Sequence, residues 1–97
     1  MAVQDVYDGV LIPRGFEKLT GLNSAKALAN VPADAVGALI QAEGEAVRWQ
    51  DVATPTAVLG MLLADGDTLW YTGDLSKLKF FENAATAQIN CTYYGKT

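Results

Sequence analysis

The segment Ala87-Gln88-Ile89-Asn90-Cys91-Thr92-Tyr93-Tyr94 sets Ala87, Ile89, Cys91 and Tyr93 against Gln88, Asn90, Thr92 and Tyr94. That alternation is the two-residue period of a strand with one face in a core and the other in water. Upstream, Leu78 and Phe80 alternate with Lys77, Lys79 and Phe81, which predicts a second strand over residues 75–83. Phe81 then falls on the outer face, as a bulge or a surface apolar contact. The four residues between the two strands, Asn83-Ala84-Ala85-Thr86, have hairpin length.

The same reading extends toward the N-terminus. Thr68-Leu69-Trp70-Tyr71-Thr72 is β-branched and aromatic, and it lies between the turn signals Asp65-Gly66-Asp67 and Gly73-Asp74. Residues 56–63 are apolar on both faces, which predicts a buried strand, with Gly60 marking a bulge or a close backbone approach. Residues 35–43 and 46–51 flank Gly44-Glu45, the glycine-first pair that a type II′ hairpin requires. Its inward side chains would be Val36, Ala38, Ile40, Ala42, Val47 and Trp49. Residues 16–20 read as a strand, and 23–30 as an extended connection or short strand in preference to a helix. Residues 1–14 are expected to form an extended N-terminal arm that orders on assembly, and residues 15–97 one domain. Strands at spacings of roughly ten residues predict an all-β fold, a small antiparallel β-sandwich or jelly-roll-like barrel of about six to eight short strands.

With 51% hydrophobic and 19% charged residues among 97, the chain has the balance of one folded domain rather than of a disordered segment. A net charge of −4 with scattered basic residues argues against a nucleic-acid partner, which requires clustered Lys and Arg. The longest apolar run, residues 57–64, falls far short of the roughly twenty residues of a membrane-spanning helix, so no membrane role is expected. The opening residues lack the basic and apolar regions of a secretory signal, which points to synthesis in a cytoplasm.

There is no histidine and one cysteine, Cys91. His-dependent triads, His-metal sites and an internal disulfide are thereby excluded. Asp51, Asp65, Asp67 and Asp74 sit in predicted turns, where Asp beside Gly is accounted for by bonds to the backbone. No enzyme, cofactor or metal is expected. Trp49, Trp70, Tyr71, Tyr93 and Tyr94 serve either a core or a stacking surface. Adjacent residues face opposite sides, so Tyr71 and Tyr94 are expected on the surface, with Trp49 and the other member of each pair inside.

Beyond these patterns, Ile40-Gln41-Ala42-Glu43-Gly44 with Trp49, Pro55-Thr56-Ala57, Gly66-Asp67-Thr68-Leu69-Trp70-Tyr71, Gly73-Asp74-Leu75 and Lys79-Phe80-Phe81 resemble in their order small virion structural proteins of tailed bacteriophages. The resemblance covers residues 35–94 and contains no catalytic signature. It implies a capsid decoration (cement) protein bound to the major capsid protein lattice, or a low-copy neck, tail or fibre subunit. It further implies a location on the virion and a homo-oligomer, with a trimer favoured. A carbohydrate-binding module using Tyr71, Tyr94 or Trp70 is the reading from another class. Apolar residues of a weakly patterned terminus need somewhere to go, so Val6, Tyr7, Leu11, Ile12 and Phe16 are candidate partner-binding residues, together with Tyr71, Phe81 and Tyr94.

Overall fold

The computed structural model of the chain describes residues 10–96. Its elements are β1 (Leu11–Leu19), β2 (Lys26–Ala27), β3 (Ala35–Glu43), β4 (Val47–Gln50), β5 (Met61–Leu63), β6 (Thr68–Tyr71), a 3-10 turn (Leu75–Lys77), β7 (Lys79–Glu82) and β8 (Gln88–Lys96). They form two four-stranded sheets of order β1-β8-β3-β6 and β2-β7-β4-β5, with every pairing antiparallel. The pairs β1/β8, β2/β7, β3/β6 and β4/β5 are those of a two-stranded ribbon rolled over itself, which is a jelly-roll sandwich. Only β4 and β5 are neighbours both in sequence and in a sheet; every other connection crosses between the layers.

That wrapping corrects both expected hairpins. Strand β3 pairs β8 and β4 pairs β7, so residues 44–46 and 83–87 are not reversals. They are the two sides of a corner where one ribbon bends from the first sheet into the second. The corner is tight: a Cβ on Gly44 would meet the Thr86 carbonyl oxygen at 3.1 Å. It is closed by Asn83 N–H donating to the Ala46 carbonyl at 2.9 Å. Asp65 reaches across to accept from Gly44 N–H at 2.9 Å. A bend and a hairpin ask for the same residues locally, and only the long-range pairing separates them.

Three further expectations change. Leu11–Ile12 pair with Lys96 and Gly95 of β8, so residues 11–14, read as arm, belong to β1; residues 1–9 lie outside the described part. Of residues 56–63 only Met61–Leu63 form a strand, and of its side chains only Leu63 is buried. A bulge between Ala35 and Gly37 turns Val36 outward, while Ala38, Ile40 and Ala42 point into the core as expected. Gly60 is a close approach, since a Cβ there would lie 3.0 Å from the Trp49 carbonyl oxygen. Residues 23–30 hold the short strand β2 and no helix.

The core lies between the sheets. Ile40, Ile89, Cys91 and Tyr93 of the first sheet share one buried cluster with Val47, Phe80 and Leu63 of the second and with Leu22 and Leu78. Full burial of each large aliphatic side chain contributes about 1.5–3 kcal/mol. One carboxylate, Glu17, is buried among them. It accepts from Ala29 N–H at 3.2 Å, from Asn30 N–H at 3.0 Å and from the Tyr93 hydroxyl, and so ties β1, β8 and the segment after β2 together.

Burial has a consequence at high pH. It pushes the Cys91 thiol up to about 11. Burial, then the bond to Asp51, pushes the Tyr71 phenol up to about 12, and burial with the Glu17 bond raises Tyr93 as well. For a raised group the stabilisation is complete below the ordinary value and is lost as pH climbs through the folded one. Stability therefore declines from about pH 9 upward. Tyrosinate absorbance from Tyr71 and Tyr93 is expected only together with loss of the near-UV circular dichroism, and smooth titration of all four tyrosines in a folded protein would contradict this.

Candidate functional site

The register of the first sheet stacks outward side chains into rows that cross all four strands. Phe16, Thr92, Leu39 and Trp70 form one row, and Lys18, Asn90, Gln41 and Thr68 the next. The first row is mainly apolar and largely exposed: Phe16 by 62%, Trp70 by 46% and Leu39 by 41%. Between the rows runs a cleft of about 360 Å³ lined by Phe16, Leu39, Gln41, Thr68, Asn90 and Thr92. Trp70 stands beside it with its ring against Gly37, where a Cβ would come within 2.9 Å of the indole. Tyr94 meets the ring edge-on at a centroid distance of 5.6 Å.

At the far side of the second row the charges neutralise one another. Lys18 Nζ donates to Glu43 Oε1 at 2.8 Å and to Gln88 Oε1 at 2.9 Å. Asn90 Nδ2 donates to the same Glu43 oxygen at 2.8 Å and to Gln41 Oε1 at 3.4 Å. The Lys18 bond, then the Asn90 bond, holds the Glu43 carboxyl below its ordinary value, so this bracket outlasts mild acid.

A second surface lies on the other sheet. Val52 is 91% exposed, Val58 85%, Met61 57%, Leu62 55% and Leu59 52%, five large apolar side chains on the β4–β5 connection and on β5, the edge strand of its sheet. The Thr56 side chain builds this loop: its Oγ1 accepts from Val58 and Leu59 N–H at 3.3 and 3.0 Å. From below, Arg48 Nη1 donates to the Gly60 carbonyl at 3.1 Å. The apolar content of residues 56–63 suggested a buried strand. The hydroxyl turn at Thr56 and the glycine that follows were the signals that these side chains stay outside.

The candidate residues separate accordingly. Phe16 and Tyr94 lie on the outer face of the first sheet, largely and partly exposed. Phe81 is half-buried on the outer face of the second, in register with Arg48. Leu11 and Ile12 are half-buried in a paired strand rather than displayed on an arm, and Val6 and Tyr7 lie outside the described residues. Tyr71 is corrected: it is 7% exposed and its hydroxyl donates to Asp51 Oδ2 at 2.7 Å, while Trp70 takes the surface position. Strand β6 turns its odd members inward, so within that pair the assignment reverses. Leu39, Gln41 and Asn90 were read only as strand residues, since nothing local tells which polar face is concave.

Three of the four turn carboxylates are committed to structure. Asp51 receives Tyr71, Asp65 receives Gly44 N–H, and Asp74 receives Ser76 N–H and Oγ–H at 3.0 and 2.6 Å. Among the described residues no group of three or more His, Cys, Asp or Glu side chains is placed to hold a metal ion. Within those residues no helix is long and apolar enough to cross a membrane. The described residues thus present two exposed surfaces that carry large apolar side chains; no family model, curated protein or solved structure matches the chain.

Proposed function

We propose that the chain is a virion structural subunit, a capsid decoration protein that docks on the major capsid lattice through the β4–β5 connection and β5. The observation that carries this reading is the cluster Val52, Val58, Leu59, Met61 and Leu62, each more than half exposed on one loop and one sheet edge. Large apolar side chains left exposed on one loop and an open strand edge are costly to keep in water and are what a partner protein covers. The order of motifs shared with phage virion proteins supports the same reading. So, by analogy alone, does the jelly roll, an architecture of viral capsid domains.

Mechanistically, a subunit that binds only the assembled shell stabilises it by mass action, and repetition over the lattice adds avidity. Self-association, a trimer first, belongs to the same proposal. Quantitative mass spectrometry of purified particles, scaled to the major capsid protein, gives the test. Hundreds of copies are expected; a count of tens or fewer would move the protein to the neck, tail or a fibre, and absence would overturn the reading. The double substitution Val58→Asp and Met61→Asp should leave the melting temperature within a few degrees, since both sites are exposed, and reduce particle binding at least about tenfold. Full binding by that variant would remove this surface as the attachment site.

A further inference from the structure

We infer that the cleft on the outer face of the first sheet binds a neutral glycan, its hydroxyl groups read by Gln41, Thr68, Asn90 and Thr92 and its apolar ring faces laid against Phe16 and Leu39. Three features of the cleft select this ligand. The first is its lack of net charge: Lys18 and Glu43 are spent on each other at its margin, and an acidic chain of net charge −4 repels anionic polymers.

The second is the set of polar groups left over. Both protons of Asn90 Nδ2 are used within the sheet, on Gln41 Oε1 and Glu43 Oε1. Asn90 Oδ1, Gln41 Nε2 and the Thr68 and Thr92 hydroxyls have no protein partner among the described residues. That leaves an acceptor, a donor and two groups that act as both, all uncharged and all lining one cleft. A sugar hydroxyl likewise both gives and accepts. A protein partner would instead be met by a patch with an apolar centre and polar groups at its rim, whereas here amides and hydroxyls form one whole wall.

The third is size: the cleft volume, about 360 Å³, lies within the roughly 300–1,000 Å³ of small-ligand sites. This site is independent of the attachment surface, which belongs to the other sheet.

The test is a printed array of neutral, sialylated and sulfated glycans, followed by tryptophan-fluorescence titration with maltohexaose, cellohexaose, chitohexaose and yeast mannan. Binding is expected within the neutral set. Phe16→Ala and Asn90→Ala should each weaken it at least about tenfold, whereas Val58→Asp should not change it. Neither Phe16 nor Asn90 belongs to the core, so both variants keep the fold on which the test depends. The proposal is overturned if no neutral glycan binds, if only charged glycans bind, if both variants retain wild-type affinity, or if cross-linking on intact particles finds a protein covering Phe16 and Leu39.

Discussion

Replacing Glu17 with alanine is expected to lower the unfolding free energy by about 3 kcal/mol, a large share of the roughly 5–15 kcal/mol available to a small domain. Glu17 is 7% exposed and accepts from three donors. Two of these, the N–H groups of Ala29 and Asn30, lie at an exposed stretch and can turn to water after the substitution. The third, the Tyr93 hydroxyl, cannot: Tyr93 is fully buried, so this group would be left in the core with only the weakly bonding Cys91 thiol as a partner. Tyr93→Phe removes that group together with its partner's loss, so the double variant should be less destabilised than the sum of the two single ones. Urea titration of the four proteins measures the coupling. Additive losses would show that Glu17 acts on the segment after β2 alone.

Phe80→Ala is expected to cost about 3–5 kcal/mol, the range for emptying a buried aromatic site. Phe80 is completely buried on β7, an inner strand of its sheet, opposite Trp49 on one side and Lys26 on the other. The space it leaves is bounded by paired strands, which resist collapse. Its neighbour Phe81 is a useful control, because it faces the other way and is only half-buried. Phe81→Ala should cost about 1 kcal/mol or less. Thermal melts of the two variants decide the matter, and equal losses would contradict the facing assigned to β7.

The sequence was most informative where a strand buries one face only. From Ala87 to Gly95 every second residue is buried, because β8 lies between β1 and β3 with a core below and solvent above, and its period-two pattern is strict. Ala38, Ile40 and Ala42 were legible for the same reason. Legibility failed wherever long-range pairing overrode a local signal. Gly44-Glu45 and Asn83-Thr86 read as reversals and proved to be a corner. The apolar run of residues 56–63 stays largely at the surface, and only Leu63 enters the core. The candidate sites suffered from the same blindness. Phe16 and Tyr94 could be nominated as aromatic residues on outer faces. The cleft depends on Asn90 and Gln41 standing side by side, and those are 49 positions apart.

The rolled ribbon also constrains how the protein comes into being. Strand β8 is the last of the described strands to be synthesised, yet it occupies the middle of its sheet, hydrogen-bonded to β1 on one side and to β3 on the other. A ribosome that has released everything up to Glu82 holds β1 and β3 with no ladder between them, and Ile40 and Glu17 without their lid. The domain therefore cannot mature from its N-terminus as it emerges. It closes in one late step, with the most distant parts of the chain meeting first to last, which is the slow class of folding topology. Until then its edges are open to neighbours, so the delay before β8 emerges sets how long each nascent copy stays exposed to misassembly.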